Sequence, residues 1–184
     1  MNIKEILYNK NPLLIMSYLS KNKTQENISA HIAKELKLGA GSVHQILKQF
    51  EEMGVVKSSR VGKTILYEVD KMSPLVKTFR VFDNLLDLEL LFLSLKLHSR
   101  KIVLFGSCAT GTDTACSDID LFVVADEDEK DNVLSIISNY PSNREIKPVV
   151  VDTIELMELE NKDKVFYNEI IKGIQIWEGT SGNY

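Results

Sequence analysis

Cysteine is scarce in this chain, with two among 184 residues, Cys108 and Cys116. The two could approach each other, but two small reduced thiols are expected, and without a second Cys or His pair at ligand spacing they do not make a zinc site. The three histidines, His31, His44 and His98, are scattered and suggest no metal cluster. Repeats and low-complexity stretches are lacking. Long apolar runs are missing too: the longest candidate, Leu85–Leu97, is interrupted by Asp87, Glu89 and Lys96, short of the roughly 18–20 residues of a membrane span. The opening MNIKEILYNK has no apolar signal-peptide core, so a cytoplasmic protein with no membrane partner is expected. Charge of one sign is not strongly in excess, the net being −4. It is unevenly divided, however. Residues 1–70 hold ten Lys/Arg against seven Asp/Glu, and residues 71–184 hold twelve against nineteen. This balance argues against indiscriminate nucleic-acid binding while leaving room for a localised basic face on the first part. With 44% hydrophobic residues, the chain can bury one large core or two small ones.

The most informative stretch is Lys101–Val124, KIVLFGSCATGTDTACSDIDLFVV. An apolar run, Ile102–Phe105, leads into Gly106-Ser107; after ten residues, Asp118-Ile119-Asp120 opens a second apolar run, Leu121–Val124. The pattern predicts strand, turn, short helix, strand. Residues i and i+2 of a strand share a side, so Asp118 and Asp120 can share one divalent cation, Mg2+ or Mn2+, which accepts carboxylate and phosphate oxygens. Gly106 lets the backbone approach a triphosphate closely, and Ser107 adds a hydroxyl and an N–H.

Gly-Ser followed after ten residues by Asp-x-Asp resembles the DNA polymerase β-type nucleotidyltransferases, most closely their minimal members, over roughly Ser73 to Trp177. The resemblance implies a nucleoside triphosphate, with ATP expected, held at Gly106 and Ser107, and a metal on Asp118 and Asp120. It also implies transfer of a nucleoside monophosphate to a hydroxyl. Members of this family carry a third carboxylate on the strand beside the pair, which helps hold a second metal and deprotonates the attacking hydroxyl. Here Lys147 falls at that position in Ile146–Val151, while Glu145, one pleat earlier, is the alternative third acid. A lysine beside two aspartates would pair with them or repel a second cation. At about 4 Å and an effective dielectric of ~20 the Coulomb term is about 4 kcal/mol, enough to displace weak metal binding.

The first 72 residues read differently. Pro12 suits a first helical turn, followed by Leu13, Leu14, Met16 and Leu19. A second helix is signalled by Asn27 or Ser29 as cap, and a third over Ser42–Met53, with Ser42 as cap and Val43, Ile46, Leu47 and Phe50 inward,. Gly54 stops it as a left-handed residue. Val55–Ser59 and Thr64–Val69 alternate as strands around the tip Arg60-Val61-Gly62-Lys63. Val43–Val69 resembles the recognition helix and wing of winged helix-turn-helix regulators such as the ArsR and MarR families. The resemblance implies binding to double-stranded DNA. The polar side of the third helix, Ser42, His44, Gln45 and Lys48, would face base edges, with Arg60 and Lys63 on phosphates.

The remaining expectations complete an α/β (α+β) architecture, with a winged helix-turn-helix at 1–72 and a nucleotidyltransferase fold at 73–184 built on a mixed sheet flanked by helices. A long helix over 75–98 serves either core packing or a homodimer seam. Asp131–Tyr140 is expected as a helix, Glu145–Val151 as a third strand, Asp152-x-x-Glu155 as a capping box, and Ile170–Trp177 as a last strand,. Two functions follow. One is an enzyme whose acceptor is a small molecule, an RNA end or a protein, since minimal nucleotidyltransferases are often partners of HEPN-type proteins in toxin–antitoxin pairs. The other is a transcriptional regulator whose second domain is a catalytically inactive sensor of nucleotide or partner.

Overall fold

The computed structural model describes residues 10–22 and 27–179. The chain forms two compact units, Met1–Asp83 and Asn84–Tyr184. The division falls eleven residues beyond the expected 72/73 boundary because Val76 and Phe79 pack into the core of the first unit.

In the first unit, α1 (Asn11–Lys21) begins with Pro12 in its first turn, where a missing N–H costs nothing. Helices α2 (Ser29–Glu35) and α3 (Ala40–Glu52) follow. An antiparallel hairpin, β1 (Val56–Val61) and β2 (Thr64–Val69), comes next. Ile15, Leu19, Ile32, Val43 and Leu47 are fully buried, and they recur at the helical spacing that puts one stripe inward. An isolated bridge between Ile28 and Leu66 ties the start of α2 to the hairpin. Three expectations change in detail. Neither Asn27 nor Ser29 caps α2; Ile28 holds the cap position without a side-chain bond, and Asn27 is buried. Ser42 does not cap α3, which starts at Ala40 after an extended Gly39; Ser42 instead accepts a 3.3 Å hydrogen bond from Asn11 Nδ2. The hairpin tip is the two-residue turn Gly62-Lys63, since Val61 pairs with Thr64 and Arg60 with Ile65. Gly54 does lie in the left-handed region just past α3, with φ +72°.

The second unit is built on a mixed four-stranded sheet of order β5-β4-β3-β6, with β3 (Lys101–Phe105), β4 (Ile119–Val124), β5 (Ile146–Val151) and β6 (Ile174–Glu178). β3 is antiparallel to both β4 and β6, and β4 is parallel to β5. The helices are α4 (Pro74–Asp87, which straddles the unit boundary), α5 (Glu89–Leu95), α6 (Gly106–Thr110), α7 (Lys130–Ser138), α8 (Thr153–Lys162) and α9 (Lys164–Ile171). On one face of the sheet, Ile102, Leu104, Leu121 and Val123 pack with Leu91 and Leu95 of α5 and Val133 and Ile137 of α7. On the other face, Val103, Phe105, Phe122 and Val124 pack with Leu156 of α8 and Phe166 and Ile170 of α9. Both faces of the central strands are covered, which is why β3 and β4 read as continuous apolar runs rather than alternating ones. Pro148 sits in β5, an edge strand, where a missing ladder donor is tolerated.

The expected helix over 75–98 is broken at Leu88 (φ −100°, ψ 0°). The Tyr140 hydroxyl donates to the Asp87 carbonyl at 2.7 Å, and the turn rolls Leu88, Leu91 and Leu95 into the sheet core. The opposite side of α5 leaves Leu90 and Leu93 exposed, and Leu97 just beyond the helix is exposed too. The last strand starts at Ile174, not Ile170, because α9 continues to Ile171. Gly173 makes the turn: a Cβ there would meet the Leu104 carbonyl at 2.6 Å. The Asp152–Glu155 capping box forms as the sequence implied. No described helix is long and apolar enough to cross a membrane.

Candidate functional site

β3 and β4 pair so that Phe105 stands opposite Asp120. The chain leaves β3 through Gly106, whose φ of +68° is left-handed and so suits glycine. A Cβ at this position would lie 2.3 Å from Asp120 Oδ2. The turn backbone and the carboxylate therefore lie close together, and a side chain at this position would displace the carboxylate. Gly106 opens the short helix α6, which Gly111 follows as its C-cap, and the half-buried Ser107 is its second residue.

Asp118 immediately precedes β4 rather than opening it, and Asp120 is its second residue. Their shared parity with Phe122 directs both towards the α8/α9 side of the sheet. Both are half-buried. The Asp120 carboxyl is held above its usual range, first by burial and then by the negative charge of Asp118; Lys147 works against this, and Glu169 of α9 adds to it. Glu169 had no signal in sequence, because its proximity depends on how α9 packs.

β5 runs parallel beside β4 with Lys147 in register with Asp120. The Lys147 ammonium lies 2.5 Å from Asp118 Oδ2, with the two side chains 54% and 38% exposed. That contact holds the ammonium above its ordinary range, through the hydrogen bond from Lys147 to Asp118 first and its charge second, with Glu145 adding a smaller contribution. Glu145 is exposed just before β5, where its carbonyl accepts from the Ile119 N–H at 2.9 Å. The residue in register beside the aspartates is thus Lys147, at the position where the family resemblance implied a third carboxylate.

Beneath the turn lies a polar cluster that the sequence did not reveal. Arg144 Nη1 is 2.8 Å from Asp113 Oδ2, and Nη2 donates to Asn84 Oδ1 at 3.0 Å. Asn84 Nδ2 donates to the Cys108 carbonyl at 3.1 Å, and the Cys108 thiol faces the Asp118 carbonyl at 3.5 Å. Asn84, Cys108 and Asp113 are fully buried. Burial pushes the Cys108 thiol up, outweighing the nearby guanidinium. Both cysteines are free, and Cys116 is exposed. The cluster bridges α4, α6, the loop carrying Asp113 and the approach to β5, so it fixes the frame from which Gly106, Asp118 and Lys147 project.

The donor set can be tested against a divalent cation. Two carboxylates on one side of a strand, beside a glycine turn open to phosphate, suit one hard cation completed by phosphate oxygens and water. They do not suit two, because an ammonium stands where a further carboxylate would be needed. Among the described residues, no group of three or more His, Cys, Asp or Glu is placed to hold a metal ion. A cavity of about 670 Å³ between α7 and β5 is lined by Leu134, Ser138, Arg144, Ile146 and Pro148, and none of the four turn and acid residues lines it.

In the first unit, His44, Gln45 and Lys48 are exposed on α3, opposite buried Val43, Ile46 and Leu47, while Ser42 is half-buried. Lys48 is 3.8 Å from Glu52, one turn on. Arg60 on β1 and Lys63 in the turn are both exposed.

Residues 92–181 match the family model described as "Polymerase beta, Nucleotidyltransferase". These 90 of 184 residues fall wholly within the second unit. The match and the mixed sheet together support a nucleotidyltransferase domain there. No curated protein and no solved structure matches the chain.

Proposed function

We propose that the second unit binds a nucleoside triphosphate, ATP in the first instance, together with one Mg2+ or Mn2+, and transfers its nucleoside monophosphate to a hydroxyl acceptor. The observation that carries this is the contact between Gly106 and Asp120, which sets a bare backbone turn against a carboxylate. Gly106 and Ser107 would cradle the phosphates, and Asp118 and Asp120 would hold the cation. A bound cation would neutralise triphosphate charge and favour departure of pyrophosphate. In the transfer, the acceptor oxygen bonds to the α-phosphorus, the bond to the β-phosphate oxygen breaks and pyrophosphate leaves. The acceptor proton must pass to a base, and a charged Lys147 is no base; Glu145, whose charge reaches Lys147, is the candidate outside the aspartate pair. Full-length protein incubated with α-labelled ATP, Mg2+ and candidate hydroxyl acceptors, a HEPN-type protein among them, should yield a labelled product. Asp118→Ala should reduce it by about 10²-fold or more, the size of effect seen when electrostatic stabilisation is lost from a reacting site. Label transfer that survives Asp118→Ala would reject the assignment.

The ion pair between Asp118 and Lys147 favours a second reading, in which this unit senses nucleotide without turnover. In that case NTP with Mg2+ shifts DNA affinity and is recovered intact.

For the first unit, the proposal is a winged helix-turn-helix that binds duplex DNA, supported by three helices, a hairpin and an exposed polar face on α3. Gln45 and Lys48, with His44 and Ser42, would read base edges; Arg60 and Lys63 would contact phosphates. Binding by the full chain should weaken as salt rises. Changing both Arg60 and Lys63 to Ala should lower the slope of log K against log salt by roughly 2 and weaken all sequences alike. An unchanged slope in a salt titration by fluorescence anisotropy would remove the hairpin from the interface.

A further inference from the structure

The position of Lys147 carries an inference that rests on the nucleotide reading of the site and goes beyond it. Three observations converge. Lys147 is in register beside Asp120 on the adjoining parallel strand. Its ammonium touches Asp118 Oδ2. It is half-exposed and so free to change partner, whereas the Asp120 carboxylate is packed close to the Gly106 turn. An ammonium here occupies the ground a second cation would need, and a triphosphate docked at the turn would lie within the same cluster. We propose that Lys147 is a polyphosphate-binding residue that replaces the second metal ion, so that the site takes one divalent cation per nucleotide. In the free chain Lys147 holds Asp118; with nucleotide bound it turns to a phosphate oxygen and leaves Asp118 for the cation. Lysine suits this exchange, because its ammonium is a compact charge on a flexible stem.

The test is calorimetry on the full chain with a non-hydrolysable ATP analogue, run with EDTA and then with Mn2+, beside a count of bound Mn2+ by electron paramagnetic resonance. Wild type should bind the analogue in EDTA and take one Mn2+ per nucleotide. Lys147→Met should weaken metal-free binding by about tenfold, the loss of one charge-assisted hydrogen bond. Lys147→Arg should keep most of the affinity. Lys147→Asp, which supplies a third carboxylate, should raise the count to two Mn2+. Two Mn2+ in wild type, or unchanged metal-free affinity in Lys147→Met, overturns the role of the lysine while leaving the nucleotide site standing. No binding of the analogue by wild type under either condition overturns both.

Discussion

Gly106→Ala should abolish measurable nucleotide binding and cost about 1–2 kcal/mol of stability from the backbone alone, because an L-residue is driven into the left-handed region. The packing adds to this. The new methyl would sit 2.3 Å from Asp120 Oδ2, so the Asp120 carboxylate must swing aside, moving one of the two cation-holding groups. A control separates the two effects: Gly54 has a similar φ of +72°, but a Cβ there would meet nothing within 4 Å. Gly54→Ala should show the backbone penalty and leave nucleotide affinity unchanged. Denaturant unfolding and nucleotide titration of both variants read the difference. If Gly106→Ala binds nucleotide like the wild type, phosphate does not dock at this turn.

The turn was legible from sequence because everything that defines it is local. Two apolar strands, a Gly-Ser step and Asp-x-Asp fall within 24 residues, Lys101–Val124; the antiparallel sense of β3 against β4 was not legible, because the connection Gly106–Asp118 is long enough for either sense. Lys147 was expected beside the aspartates only through the family resemblance, which sets Ile146–Val151 next to Asp-x-Asp; the parallel register of β5 with β4 puts it there. Asp118 needed correction by one residue only, as it precedes β4.

Features made by distant residues were not legible. Arg144 reaches Asp113 across 31 positions and Asn84 across 60, and nothing in its neighbourhood marks it as anything but a surface arginine. Helix α4 gave no sign that it would end at Asp87, because the apolar spacing runs on through Leu97; the break is set by the Tyr140 hydroxyl on the Asp87 carbonyl and by the demand of the sheet core for Leu88 and Leu91. The boundary between α9 and β6 was misplaced for a related reason. Ile170 and Ile171 are strand-like in type, but Gly173, pressed on the Leu104 carbonyl, delays the strand to Ile174. β-Branched residues are only a weak prior when packing decides the element.

Arg144→Leu is the substitution that should most damage the second unit. Its guanidinium is 11% exposed, and the Asp113 side chain it pairs with is 0% exposed. Removing one member of a buried ion pair takes compensating charge away from the other in a medium that solvates it poorly, at a cost of about 3–5 kcal/mol. The same change takes a donor from Asn84 Oδ1 and the charge from beside the Cys108 thiol, so α6 and the loop into Asp118 lose their common anchor. Nucleotide affinity should therefore fall although residue 144 is not assigned any contact with the ligand. The double variant Arg144→Leu with Asp113→Leu decides whether charge or shape is responsible. Replacing both members of a buried pair with apolar groups is often close to neutral, so the double variant should recover most of the stability lost by Arg144→Leu alone. Equal losses in the single and double variants would instead assign Arg144 a packing role. A coupling of several kcal/mol in that cycle, read by chemical denaturation, would identify the buried pair as the support on which the turn and its two aspartates depend.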